Sequence, residues 1–131
     1  MKKNTILSLI AFIVILTSCG KENATPTNEL TGKWKLTSYY YSAGGPITWQ
    51  NASPDSLKTV EFNDDGNLGG NVYNKYSKYT LKDSVIITFT GVTGVAAQNY
   101  SYQLKNNELI LSPAGPIMCI EGCGSKYVKI P

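Results

Sequence analysis

Residues 100–112 read Tyr100-Ser101-Tyr102-Gln103-Leu104-Lys105-Asn106-Asn107-Glu108-Leu109-Ile110-Leu111-Ser112. Tyr100, Tyr102 and Leu104 alternate with polar residues, so in an extended chain they share one face. Asn106-Asn107 is a turn signal, because asparagine tolerates the left-handed backbone that a tight hairpin needs. Glu108 to Ser112 is a short apolar return. The stretch predicts a β-hairpin with one buried face.

Outward from this hairpin the same period of two recurs. Lys33-Trp34-Lys35-Leu36-Thr37, Thr59-Val60-Glu61-Phe62-Asn63 and Tyr79-Thr80-Leu81-Lys82 alternate, Ser84 to Thr90 is the most apolar run, and Lys126 to Ile130 closes the chain. Trp34 and Leu36 should face inward on the first strand, and Val60 and Phe62 on the second, with Glu61 outward. Asp64-Asp65-Gly66-Asn67 reads as a hairpin, since glycine supplies a positive φ, and Lys82-Asp83 as a further turn. A calcium loop is the functional alternative for the acidic turn, but the later spaced acidic ligands are missing. With a strand at 68–76 the count reaches about eight, and no stretch past residue 20 has helical periodicity. A meander of eight strands hides both sheet edges by closing on itself. The expected fold class is all-β: an up-and-down antiparallel eight-stranded barrel over residues 30–131, with a two-sheet sandwich as the alternative. Such a barrel is either filled by side chains or holds one small ligand.

The N-terminus reads differently. Met1-Lys2-Lys3 is a short positive segment, and Ile6 to Leu16 (ILSLIAFIVIL) is eleven residues long and almost wholly apolar. A membrane-spanning helix needs about 20 such residues, so this length suits the core of a secretory signal peptide. Leu16-Thr17-Ser18-Cys19 follows and resembles the lipobox of bacterial lipoproteins. The resemblance implies cleavage after residue 18, lipid attachment at Cys19, and anchorage to a membrane of the cell envelope, the outer membrane by expectation. Several acyl chains hold a protein far more firmly than one. Residues 19–29 are polar and read as a lipidated, flexible tether. Lys21-Glu22 loosely resembles the charged export tags of surface lipoproteins. The mature chain would have 113 residues, which suits one domain.

Gly32-Lys33-Trp34 resembles the Gly-x-Trp motif that opens the first strand of lipocalins. Set before a meander reaching Lys126-Tyr127-Val128-Lys129, it is similar to the lipocalin-like domains of Bacteroidetes lipoproteins. In that family the tryptophan plugs one barrel end and a late arginine often covers it. This chain has no arginine, so Lys126 or Lys129 is the expected cover, without the stacking of a guanidinium. The resemblance implies a ligand pocket inside the barrel and a lid formed by the long loop after the first strand, here Ser42 to Ser56.

Composition bounds the chemistry. There is no histidine, which removes Ser-His-Asp and Cys-His catalysis and imidazole metal sites. Without the two N-terminal lysines, ten lysines face nine acids, with no basic cluster of the kind nucleic-acid binding requires. No pair of carboxylates forms an acid/base motif. These features point away from an enzyme and call for no metal or cofactor.

The binding candidates are aromatic and aliphatic: Trp34, Leu36, Phe62, Tyr100, Tyr102 and, in the long loop, Trp49. Nine tyrosines offer apolar bodies with polar tips, although tyrosine also favours strands for their own sake. Trp49 reads either as a pocket or partner contact or as a packing residue on the barrel rim. Cys119 and Cys123, exported to an oxidising compartment, read as a structural disulfide; redox and metal roles are the alternatives, each short of its usual spacing or ligand count. The leading expectation is an anchored barrel that binds a small apolar or amphipathic molecule. A filled barrel whose loops contact another envelope protein is the alternative.

Overall fold

The computed structural model describes residues 29–91 and 93–131. The signal-like segment, Cys19 and residues 20–28 of the tether lie outside the described residues. The rest is all β: β1 (Gly32–Tyr41), β2 (Gln50–Asn51), β3 (Thr59–Phe62), β4 (Leu68–Gly70), β5 (Lys78–Leu81), β6 (Ile86–Thr90), β7 (Gln98–Lys105), β8 (Glu108–Gly115) and β9 (Cys123–Ile130). Every pairing is antiparallel and the spatial order is β4-β3-β1-β9-β8-β7-β6-β5. Apart from the two-residue β2, each strand lies beside its neighbours in sequence, and the last strand returns to the first. The two ends of the sheet meet at Asn67 and Lys78. There the Leu68 N–H donates to the Ser77 carbonyl and the Tyr79 N–H to the Gly66 carbonyl, both at 2.9 Å. The sheet thus nearly closes into the expected up-and-down, lipocalin-like barrel of eight main strands.

Alternation places the core as the sequence implies. Trp34, Val60, Phe62, Ile87, Phe89, Leu109 and Tyr127 are fully buried and form the interior with Leu30, Leu36 and Leu111. All strands and all core side chains among the described residues lie between Leu30 and Ile130. The two ends differ. At one, tight turns join β3 to β4, β5 to β6 and β7 to β8, and the chain enters and leaves. Asn106 and Asn107 take φ of 53° and 61°, the paired left-handed turn whose twist suits a hairpin. In the acidic turn, Asp65 accepts hydrogen bonds from the backbone and side-chain nitrogens of Asn67 (2.9 and 2.6 Å), so that carboxylate serves the turn itself.

This end is closed by Trp34. Its indole N–H donates to the Leu30 carbonyl at 2.8 Å, and the Lys129 ammonium lies 5.4 Å from the ring centroid. Lys129 also donates to the Glu29 carbonyl at 3.0 Å. Gly32 makes the arrangement possible: its φ is +125° and an added Cβ would stand 2.9 Å from the Lys129 Cε, a position and conformation that only glycine accepts without strain. Of the two lysines the sequence offered, Lys129 covers Trp34.

Two expectations are corrected. The strand expected over 68–76 stops at Gly70, where φ is +90°. Beyond it the Asn71 side chain takes over the next ladder positions, accepting from the Thr59 N–H and donating to the Leu57 carbonyl, both at 2.9 Å. Residues 71–77 are therefore a loop. The long connection after β1 is also not a free lid. Its β2 pairs with Ser38 and Tyr39, and the Ala52 N–H donates to the Thr37 carbonyl at 2.8 Å, which folds the segment back alongside β1.

Candidate functional site

The other barrel end carries the long connections: residues 42–58, 71–77, 91–97 and 116–122. Two features of the strands determine what faces this mouth. The first is a bulge in β1, where the pairing with β9 shifts between Leu36 and Ser38. Leu36 opposes the inward Tyr127, whereas Ser38 opposes the outward Lys126. Beyond the bulge Tyr39 and Tyr41 oppose Ser125 and Cys123 and turn inward, and Tyr40 opposes Gly124 and turns outward. The second is Gln98, buried at the start of β7. It donates to the Ile117 carbonyl at 2.8 Å and accepts from the Ile117 N–H at 3.1 Å, pinning the last connection to the rim.

Tyr73, from the connection between β4 and β5, enters the mouth. Its ring packs edge-on against Phe89 (centroids 5.0 Å apart) and Tyr100 (5.1 Å). Its hydroxyl shares a 3.1 Å hydrogen bond with the Tyr127 hydroxyl, in which either oxygen can donate. Burial pushes the Tyr73 phenol well above its ordinary pKa, and the neighbouring Tyr127 adds to the shift. Burial also raises Tyr127, opposed by hydrogen bonds from Tyr73 and Ser125, and it pushes Tyr100 up to about 12. All three remain neutral donors across any ordinary pH.

Two clefts open at the mouth, and Val72 borders both. One, of about 260 Å³, is lined by Val72, Tyr73, Tyr76, Gln98, Tyr100 and Ile117 among others. The other, of about 490 Å³, is lined by Leu36, Tyr39, Tyr41, Lys58, Val72 and Tyr127 among others. The second falls in the size class of small-molecule sites, roughly 300–1,000 Å³. Each combines an apolar floor with phenol hydroxyls and a lysine at or near the rim, Lys75 in the first and Lys58 in the second. The arrangement can shield an apolar group and hydrogen-bond a polar one. Among the described residues, no group of three or more acidic or cysteine side chains gathers in metal-ligand fashion.

The sequence candidates divide by position. Leu36 and Tyr100 each line a cleft. Trp34 and Phe62 are fully buried in the core and line neither cleft. Tyr102 also faces inward, but its backbone N–H donates to the Val85 carbonyl, toward the closed end. Trp49 sits on the outer face: its ring packs edge-on against Tyr40 at 4.8 Å, and the Lys126 ammonium lies 5.0 Å from its centroid. Gly124 lets the Tyr40 ring lie flat on the sheet, since an added Cβ would meet the ring at 2.6 Å. Trp49 thus packs on the outside of the barrel and lines neither cleft. Cys119 and Cys123 are joined in a disulfide at the mouth. Sequence reasoning missed Tyr73, Tyr76 and Val72, because they were assigned to a strand that stops at Gly70. It missed Tyr39 and Tyr41 because strict alternation from Trp34 runs the wrong way past the bulge.

No family model matches the sequence, and no curated protein matches it.

Proposed function

We propose that this protein is an envelope lipoprotein, held to a membrane through acylated Cys19, whose barrel takes up a small amphipathic molecule at its mouth. The observation that carries the reading is the pair of clefts that share Val72, with aliphatic and aromatic side chains and neutral tyrosine hydroxyls within reach. Binding draws on burial of apolar ligand surface, at about 25 cal/mol per Å². The hydroxyls of Tyr39, Tyr41, Tyr100 and Tyr127 orient the polar end. Trp34, Phe62 and Phe89 fill the barrel below, so the ligand sits shallowly, and a deep calyx of the lipocalin kind is not part of the reading.

The test is native mass spectrometry of residues 20–131 expressed in a bacterial periplasm. A small molecule released on denaturation supports the reading and names the ligand class. A clean apo mass, with no amphiphile taken up on titration, defeats it. The filled interior favours one other reading, a barrel that carries nothing and works through its loops on an envelope protein; the apo outcome would favour that one. The anchor is tested separately, by mass spectrometry of the full chain processed in a bacterial host, where an unmodified Cys19 refutes the lipoprotein reading.

A further inference from the structure

The two barrel ends differ in surface chemistry as well as in loop length. Among the described residues, eight large apolar side chains are exposed, and seven belong to the mouth end; Val85, in a closed-end turn, is the exception. The densest group is on the connection closed by the disulfide, where Ile117 is 72% exposed, Met118 63% and Ile120 102%, beside Tyr41 at 74%. Leu57 extends the group across the mouth. The mouth connections carry four charged residues, Asp55, Lys58, Lys75 and Glu121, which balance. Glu29, Lys33, Asp64, Asp65, Lys82, Asp83, Lys105, Glu108 and Lys129 mark the closed end and the strand ends beside it. The molecule is amphipathic along the barrel axis.

We propose that the mouth end docks on the surface of a lipid bilayer, with Ile117, Met118 and Ile120 inserted among the lipids. Three observations favour lipid over a protein partner. Ile117, Met118 and Ile120 project from one connection at the rim of an opening, with Ile47, Leu57 and Val95 exposed on others, which suits a fluid phase that fills between them. Ile120 makes no packing contact that would shield it, on a loop held by a covalent cross-link and by Gln98, so its exposure is fixed by the fold. The charges at the mouth cancel, which fits a zwitterionic surface and offers nothing to an oppositely charged partner.

The chain preceding the barrel permits this orientation. The described chain begins at Glu29, at the closed end. Ten residues separate Cys19 from Leu30, and at a maximum of about 3.3–3.6 Å each they span roughly 35 Å. The ten-residue β1 is about 33 Å long, or about 25 Å of barrel height at the usual strand tilt. A chain fixed at Cys19 can therefore turn its mouth to the same bilayer that holds the anchor. That step rests on the lipoprotein reading; the docking face itself does not.

The test uses residues 20–131, which contain every described strand and core residue, and vesicles of phosphatidylcholine alone or with phosphatidylglycerol. Flotation should recover the protein with the neutral vesicles at any salt concentration. Ile120→Asp and Met118→Asp should each weaken partitioning about tenfold or more, as loss of one buried aliphatic group implies. Val85→Asp should leave it unchanged, and all three variants should unfold at temperatures near the parent's. No partitioning to neutral vesicles, or equal partitioning of the mouth variants and the parent, overturns the proposal. So does binding confined to vesicles containing phosphatidylglycerol, or a lipid-free dimer that the mouth substitutions dissociate. Cleft occupancy, measured on the same variants by native mass spectrometry, stands or falls separately.

Discussion

Replacing Tyr73 with alanine removes a ring that lines the first mouth cleft and whose hydroxyl bonds Tyr127, a lining residue of the second. Truncating a fully buried large aromatic costs about 3–5 kcal/mol, but Tyr73 is only half-buried and water can enter the space it leaves. The ring contacts with Phe89 and Tyr100 contribute about 0.5–1.5 kcal/mol each. The hydrogen bond to Tyr127 contributes about 1 kcal/mol. The expected loss is about 2–4 kcal/mol, within what a domain of this size can lose while still folded. Tyr73→Phe, which keeps the ring, should lose only about 1 kcal/mol. Urea unfolding gives both values. Titration with a fluorescent anilinonaphthalene sulfonate dye reports the cleft, with near-ultraviolet circular dichroism to verify native packing. Tyr73→Ala should bind the dye several-fold more tightly than the parent, because the first cleft enlarges by the volume of the ring, and Tyr73→Phe should match the parent. If the two variants behave alike in stability and in dye binding, the ring does not bound the cleft and the reasoning fails.

Three further outcomes follow from the same geometry. Stability should fall steeply above pH 10: Tyr73, Tyr100 and Tyr127 have raised values in the folded state, so from about pH 10 the unfolded chain releases protons that the folded one retains. The contribution is complete below pH 10 and is lost as pH rises toward 12 and beyond, by up to about 1.4 kcal/mol per pH unit for each tyrosine; urea midpoints tracked with tyrosinate absorbance measure it, and a flat profile contradicts it. Lys129→Arg should raise the melting temperature by an amount equivalent to about 0.5 kcal/mol, since a planar guanidinium stacks on the Trp34 indole better than an ammonium; a fall would mean that the bond to the Glu29 carbonyl matters more. Replacing Cys119 and Cys123 by serine together should cost about 2 kcal/mol from the short loop they close, read by urea unfolding, and should leave the barrel folded.

Much of the barrel is legible in the sequence because a strand with one buried face writes its period directly. Trp34, Leu36, Val60, Phe62 and the 100–112 hairpin all lie as the alternation implies, and the Asn106-Asn107 turn follows from the tolerance of left-handed backbone that asparagine shares with glycine. The mouth is less legible because its geometry depends on interruptions of that period. Gly70 ends β4 through a backbone angle, and the Asn71 side chain then substitutes for a strand neighbour; neither leaves a mark in apolar spacing. Trp49 is ambiguous in sequence because its partners, Tyr40 and Lys126, are distant along the chain and meet only on the assembled sheet. The disulfide is legible from two cysteines, whereas the exposure of Ile120 between them required the fold.

The bulge at Thr37 makes the length of β1 a variable in its own right. Thr37 and Ser38 together face one residue of β9, with the Thr37 hydroxyl bonded to the Lys126 carbonyl at 3.2 Å. Deleting Thr37 would leave the composition of the strand nearly untouched and restore plain alternation. Tyr39 and Tyr41 would keep facing the cleft and Tyr40 would keep facing out, because the register with β9 already passes over one residue there; were Thr37 instead paired in its turn, the three would exchange faces. Three adjacent tyrosines, chemically identical, thus hold different posts through a register that passes over one residue upstream. A single-codon deletion there would straighten the strand and leave the three rings on their present faces.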